Sequence, residues 1–175
     1  RGARRVAPVV GDVSDPIPLA STDEASVYAC DWRALLDVVP ECDALIVDAP
    51  YSERTHAGHN SGRRNNGAGV VLAHGGSQGT RPINYPPWSG NDVRSFVAAW
   101  HPRTRGWFLS LTDHVLQAEW CAALVAAGRY VFAPLPIVEI GSRVRLVGDG
   151  PSSWTTWLVV ARPKSREFAS WGTLP

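Results

Sequence analysis

Short apolar runs alternate with amphipathic stretches along most of the chain. Three of these runs, at residues 43–48, 106–112 and 155–161, are bounded by turn-forming residues. Runs of this length that are rich in β-branched and aromatic residues predict strands. The first run has no polar face, which predicts a buried strand of a parallel sheet.

Two stretches have apolar residues at three- and four-residue spacing, which predicts amphipathic helices. The first is expected to be capped by Asn91 or Asp92 and to end at Pro102; the second is expected to run from a cap at Asp113 to Gly128. The apolar stripes predicted for these two helices are Val93, Phe96, Val97 and Trp100, and then Val115, Leu116, Trp120, Leu124 and Val125.

Strands and helices that alternate at this rhythm predict an α/β fold with a parallel core. Upstream, the pattern predicts a strand at residues 27–30 and a brief helix at 32–39; downstream, residues 130–136 predict a strand interrupted by prolines. The turn-rich connection from that strand to the last run predicts a terminal antiparallel hairpin. One domain at residues 27–162 is expected, between an irregular arm at 1–26 and the start of a linker at 163–175.

Composition places the chain among ordinary globular proteins, with 45% hydrophobic and 19% charged residues in a length of 175. The net charge of +1 provides no global basic field for nucleic acid, so contacts with DNA would depend on local arginines. Lys164 is the only lysine among the 17 basic residues. Arginine suits bidentate contacts with phosphate and guanine, although a GC-rich coding bias produces the same excess.

The chain has three widely spaced cysteines, Cys30, Cys42 and Cys121, which fit neither a disulfide framework nor a C-x-x-C metal site. They are expected to be small buried thiols in a reducing cytoplasm. There is no apolar run of 18 residues, so no membrane contact is expected. Methionine is absent, which favours a trimmed or incomplete chain.

The first apolar run ends in the most informative stretch of the sequence, Asp48-Ala49-Pro50-Tyr51-Ser52. Ligands of open α/β sheets bind at the carboxyl ends of the strands, where Asp48 is expected. Pro50 restricts the backbone around Asp48, and Tyr51 offers a flat face for stacking. A carboxylate, oriented carbonyls and an aromatic ring together suit the exocyclic amino group of a base.

Asp48-Ala49-Pro50-Tyr51 resembles the (D/N/S)-P-P-(Y/F/W) catalytic motif of amino-methyltransferases, which use S-adenosylmethionine to methylate adenine N6 or cytosine N4 in DNA. The resemblance implies a Rossmann-like methyltransferase sheet, with Asp48, Pro50 and Tyr51 as catalytic residues and adenine favoured. It also implies that Asp31 lies near the cofactor together with Asp48; helix capping is the equal alternative for Asp31. Ala49 stands where the family has proline. The alternative interpretation is a strand-end turn of another α/β protein.

Residues 52–90 are rich in Gly, Asn, Ser, Arg and His and predict a long loop, which in the family closes over the DNA. A second loop before residue 155 faces the flipped base in relatives; a surface hairpin tip is its alternative. His56 and His59 lack further ligands, so no metal site is predicted. The residues expected to contact DNA or the base are Ala49, Ser52, Arg54, His56, Arg63, Arg64, Arg143, Arg145 and Trp154.

The family binds its cofactor through a glycine-rich F-x-G-x-G loop, and this sequence contains no such loop. We therefore expect an incomplete fold, with the cofactor loop supplied by a second chain or by a missing C-terminal segment. The alternative function is a catalytically inactive methyltransferase-like domain that acts as a nucleic-acid-binding or structural scaffold.

Overall fold

The computed structural model describes residues 16–61, 83–138 and 155–165 of the chain. The chain divides into two compact units, Arg1–Glu41 and Cys42–Pro175. The second unit contains the main sheet and all the α-helices of the described residues.

The first unit contains a small antiparallel hairpin of β1 (Ala20–Ser21) and β2 (Ser26–Val27). The hydroxyls of Ser21 and Ser26 hydrogen-bond across it at 2.8 Å. The predicted strand at residues 27–30 is wrong, because strand pairing ends at Val27. The side chain of Val27 is 56% exposed, so no buried apolar face supports a longer strand here.

The predicted helix at residues 32–39 is reduced to one 3-10 turn at Ala34–Leu36. Asp31 orders the start of this turn. Its carboxylate accepts the backbone N–H of Arg33 at 2.9 Å and pairs with the Arg33 guanidinium at 3.1 Å. The carboxylate of Asp31 therefore stabilises local structure, which is the kind of role given by the capping alternative.

The second unit has an α/β architecture in which a five-stranded mixed sheet carries three α-helices. Its elements are β3 (Cys42–Asp48), α1 (Glu53–Ser61), α2 (Gly90–Trp100), β4 (Thr104–Thr112), α3 (Gln117–Ala126), β5 (Tyr130–Val131), β6 (Leu135–Val138) and β7 (Thr155–Arg162). The strand order is β3-β4-β7-β5, and β6 also pairs with β7.

The strand directions confirm part of the predicted topology. In the main sheet β3 pairs parallel with β4, and β7 is antiparallel to β4, β5 and β6, so β7 runs opposite to the other four described strands. The terminal antiparallel hairpin is confirmed, and so is the interruption between β5 and β6, which contains Pro134. The predicted parallel core agrees with the common direction of β3, β4, β5 and β6, and the reversed last strand lies in the middle of the sheet.

Strand β3 lies at the edge of the described sheet, where β4 is its one neighbour. Its side chains at Asp43, Ala44 and Asp48 are exposed, and Ile46 is 75% exposed. The prediction of a buried strand is wrong for this reason. An apolar run in the sequence predicts a strand, but it does not show how many neighbouring strands flank it in the sheet.

The hydrophobic core lies between β4 and the helix pair α2 and α3. Phe108 of β4 is fully buried, and its ring contacts Phe96 of α2 and Trp120 of α3 at centroid distances of 6.4 Å and 6.2 Å. The apolar stripe predicted for α2 is confirmed, because all four of its residues are buried. Helix α3 begins at Gln117 rather than directly after Asp113, so Val115 and Leu116 precede it. Of the stripe predicted for this helix, Leu116, Trp120 and Leu124 are buried, whereas Val115 and Val125 are 41% and 55% exposed.

The ends of these helices follow local chemistry. Helix α2 begins after Ser89, whose backbone N–H donates to the Asp92 carboxylate at 2.8 Å in a capping box. The predicted caps Asn91 and Asp92 therefore lie inside the helix. After α3 the chain turns at Gly128, whose φ of 81° is left-handed and confirms the predicted stop.

A buried arginine joins the end of α2 to the start of β4. Arg129 is 3% exposed and donates to the carbonyl oxygens of His101, Thr104 and Gly106, and its Nε–H donates to His101 Nδ1 at 3.1 Å. Its guanidinium also lies 5.7 Å from the centroid of the Phe108 ring. The charge is thus solvated by backbone carbonyls within the core.

The contact between His101 and Arg129 predicts a pH-dependent stability. Burial, and then the positive charge of Arg129, lower the pKa of His101 from its usual 6.5. The unfolded chain therefore binds a proton that the folded chain does not, so this contribution to stability is complete above pH 6.5 and is lost as the pH falls through the folded pKa.

Urea unfolding across the range from about pH 7.5 to 5 measures this effect. We expect the free energy of unfolding to fall towards acid pH more steeply in the native chain than in a His101→Gln variant, whose amide oxygen can still accept the Arg129 Nε–H. Equal slopes for the two proteins would contradict the assignment to His101.

The helices that the structure describes lack the combination of length and apolar character needed to cross a membrane. All three cysteines are free thiols. The prediction that they are buried is wrong for Cys30, which is exposed, while Cys42 and Cys121 are half-buried.

Candidate active site

The candidate site lies where the parallel strands β3 and β4 end. Asp48 is the last residue of β3 and pairs in register with Leu111, so the ends of both strands share one edge of the sheet. The Asp48 side chain is exposed, whereas the following Ala49 is 7% exposed. The carboxylate is therefore accessible on a buried and ordered turn.

Tyr51 lies beside this carboxylate, and its backbone is held in place. The phenol is close enough to Asp48 and Thr156 for both side chains to influence its pKa, so it stands between the end of β3 and β7. Its carbonyl accepts the backbone N–H of Trp88 at 3.0 Å. Burial, and then the negative charge of Asp48, raise the pKa of Tyr51 from its usual 10. Tyr51 is thus a neutral phenol at neutral pH.

The turn after the motif is held by Asp113, which follows β4. Asp113 Oδ2 accepts the Ser52 backbone N–H at 2.9 Å, the Ser52 hydroxyl at 2.5 Å and the Thr55 hydroxyl at 2.5 Å. Burial alone would raise the pKa of Asp113, but the hydrogen bonds from Ser52 and Thr55 lead a net shift below its usual 3.8. The carboxylate is therefore ionised although it is only 6% exposed.

Helix α1 begins immediately after this turn, so the prediction of a loop over residues 52–90 is wrong for 53–61. The residues of α1 are mostly polar, so the helix has no strong apolar stripe. Contacts with other parts of the unit stabilise it. His56 is 5% exposed and lies edge-on to the ring of Tyr85 at a centroid distance of 5.2 Å. His56 Nε2 is buried, and among the residues that the structure describes it has no hydrogen-bond partner.

The structure brings part of the predicted site together. Asp48, Ala49, Pro50, Tyr51 and Ser52 form one continuous turn, and Arg54 is exposed on α1 nearby in sequence. Ser52 and His56 are buried, so their side chains are directed to protein contacts rather than to solvent. Arg63, Arg64, Arg143, Arg145 and Trp154 lie outside the described residues, and Asp31 belongs to the first unit.

Two residues of the site were not predicted from the sequence. Asp113 was predicted only as a helix cap, although its position at the end of a strand parallel to β3 could have signalled a place beside Asp48. Thr156 reaches Tyr51 because β7 inserts next to β4. That insertion has no local sequence signal.

Two other features of the described residues are separate from this site. A groove of about 520 Å³ between α2 and α3 is lined mainly by alanines, with Arg94, His101 and Glu119 among its lining residues, and neither Asp48 nor Tyr51 lines it. A search of the described residues found no group of three His, Cys, Asp or Glu side chains that could hold a metal ion.

Comparisons of this chain with protein-family models, with curated proteins and with solved structures found no match.

Proposed function

We propose that this chain is the target-base side of a DNA methyltransferase that transfers a methyl group from S-adenosylmethionine to the amino group of a flipped base, with adenine N6 favoured over cytosine N4. The observation that carries the proposal is the exposed Asp48 carboxylate at the end of β3, beside Tyr51 within the motif-like sequence. A mixed α/β sheet with a terminal antiparallel hairpin also suits a Rossmann-like methyltransferase.

Asp48 is chemically able to bind an amino group. A carboxylate has about four acceptor positions, so a contact with the neighbouring phenol of Tyr51 would leave most of them open. The others can accept an N–H of the base, and the carbonyl of Ala49 can accept the second. These two contacts would orient the nitrogen lone pair away from the acceptors, so that positioning supplies most of the rate gain.

Tyr51 would supply the stacking surface for the base. Its carbonyl accepts the Trp88 N–H at 3.0 Å, which holds the backbone that carries the ring before any base arrives. Stacking of a base on an aromatic side chain contributes about 1–3 kcal/mol. This offsets part of the unstacking that flipping requires, which costs about a few kcal/mol.

S-Adenosylmethionine, when bound, supplies the electrophilic methyl group. The exposed carboxylate of Asp48 suits its sulfonium cation. Asp31 is a weaker candidate, because its carboxylate already pairs with Arg33 at 3.1 Å. The sequence lacks the family's glycine-rich loop, so we propose that a second chain or a C-terminal segment carries the remaining cofactor contacts.

DNA is the proposed partner, and phosphate contacts are assigned to arginines. Arg54 is exposed on α1, directly after the motif. The roles of Arg63, Arg64, Arg143, Arg145 and Trp154 remain predictions from the sequence. His56 would contact DNA only if α1 moved, because its ring is buried against Tyr85.

The second candidate function is a non-catalytic scaffold that binds nucleic acid. The observation that favours it is Ala49, which occupies the place of the family's proline and contributes a buried methyl group rather than a rigid ring. Such a domain would bind DNA through salt-sensitive phosphate contacts and would have no affinity for the cofactor.

A thermal-shift titration of the full-length natural protein separates the two functions. The methyltransferase is expected to be stabilised by S-adenosylmethionine, by about 2.7 kcal/mol at a hundredfold excess over the Kd. It is also expected to transfer labelled methyl groups to DNA, and adenosine serves as the control ligand. Stabilisation by DNA alone, with no response to the cofactor and no methyl transfer, would support the scaffold instead.

A further inference from the structure

We propose that Asp113 is a positioning residue of the Asp48–Tyr51 site, whose buried carboxylate fixes the turn that follows the motif. The effect on catalysis rests on the proposed function. The effect on the geometry of Tyr51 does not, and the two are measured separately.

One oxygen of Asp113 binds the turn that follows the motif, which is the motif side of this carboxylate. Oδ2 accepts three hydrogen bonds, two from Ser52 and one from Thr55, at distances from 2.5 Å to 2.9 Å. Ser52 directly follows Tyr51 in the chain and is 4% exposed. The two bonds from Ser52 therefore restrict the residue next to the aromatic ring, and the bond from Thr55 holds the first turn of α1.

The other oxygen of Asp113 binds the backbone that leads into α3, which is the core side of this carboxylate. Oδ1 accepts the backbone N–H groups of Val115 and Leu116 at 3.1 Å and 3.0 Å. Leu116 is 3% exposed and leads into α3, whose Trp120 packs on Phe108. A single carboxylate thus connects the turn after β3 to the hydrophobic core behind β4.

The five donors around Asp113 require an ionised carboxylate, which only accepts hydrogen bonds. Asparagine has nearly the same shape, and its oxygen could still accept from Val115 and Leu116. Its amide nitrogen would then face the Ser52 backbone N–H, and two donors cannot satisfy each other. An Asp113→Asn change therefore disrupts the motif side while it can leave the core side intact.

A series of contacts links Asp113 to the proposed reacting groups. Ser52 is anchored by Asp113, the adjoining Tyr51 lies beside Asp48, and the Tyr51 carbonyl accepts from Trp88. Without the Ser52 anchor, Tyr51 keeps the Trp88 contact on one side only. We expect the ring to become more mobile and its position beside Asp48 to become less fixed.

Nuclear magnetic resonance of ¹³C-labelled tyrosine tests this geometry, with the Tyr51 signal assigned from a Tyr51→Phe variant. In Asp113→Asn, and in a Ser52→Ala, Thr55→Val double variant that keeps the Asp113 charge, the Tyr51 signal should shift and its raised pKa should fall towards 10. The control is Asp92→Asn, which removes a capping carboxylate from α2 and should leave Tyr51 unchanged. An unchanged Tyr51 in the double variant would overturn the proposal.

Methyl transfer by the full-length protein provides the second readout. We expect kcat to fall at least about tenfold in both Asp113 and Ser52/Thr55 variants, with the KM for the cofactor within about twofold, because misplacement by about 1 Å lowers rates by up to a hundredfold. A normal kcat despite a shifted Tyr51 would overturn the positioning role. If the native protein transfers no methyl group, the proposed function fails, and the Tyr51 signal alone decides whether Asp113 holds the turn.

Discussion

Replacement of Asp48 by alanine is expected to reduce methyl incorporation from labelled S-adenosylmethionine into DNA by at least about a hundredfold. Asp48 is exposed at the carboxyl end of β3 and is the proposed acceptor for the amino group of the base. Loss of the carboxylate removes the contact that orients the nitrogen lone pair. Because the side chain is exposed, the variant should fold, and its unfolding midpoint should change little.

The matched control for Asp48 is Asp43→Ala in the same strand. Asp43 is also an exposed carboxylate, but it lies near the opposite end of β3 and pairs with Arg105 at 2.8 Å. Its loss should leave incorporation within about twofold of the native rate, since exposed ion pairs contribute little. Equal incorporation by the Asp48 variant and the native protein would refute the assignment of Asp48.

The largest loss of stability is expected for Arg129→Leu. The change removes the donor for the carbonyl oxygens of His101, Thr104 and Gly106 and leaves them in a buried site. An unsatisfied buried polar group costs about 1–3 kcal/mol, so we expect a total loss of about 3 kcal/mol if water partly replaces the donor. For a domain of this size, that lowers the Tm by about 6–12 °C.

Differential scanning calorimetry of Arg129→Leu, beside Arg105→Leu as control, measures this loss. Arg105 donates to Asp43, and its side chain is 61% exposed, so its replacement should cost less than about 1 kcal/mol. A Tm for the Arg129 variant equal to that of the control would show that the buried guanidinium is not needed for stability.

The periodicity of apolar residues predicted those elements whose buried face is set by the spacing of residues within the element. The stripe of α2 meets the core with the residues expected, because three- and four-residue spacing fixes the face that packs, and the run at 106–112 forms β4 as predicted. The run that forms β3 was assigned to a strand correctly but to the wrong environment. Whether a second neighbour covers Ile46 depends on the arrangement of the sheet, not on the strand itself.

The contacts that shape the candidate site could not be predicted from local sequence. Asp113 bonds to Ser52 across 61 positions, and Thr156 meets Tyr51 because β7 inserts beside β4. Helix α1 was missed for a related reason. Its residues have weak helical periodicity, and the bonds from Ser52 and Thr55 to Asp113 stabilise its first turn.

The position of β7 has a consequence for how the protein is made. The strand is synthesised last among those of the sheet, yet it lies between β4 and β5, with Phe108 opposite Ala161. A nascent chain on the ribosome therefore cannot complete the middle of the sheet until Thr155–Arg162 has left the exit tunnel. Pairing between such distant segments slows folding, so the β3–β4 portion emerges from the ribosome before the strand that completes its sheet is available.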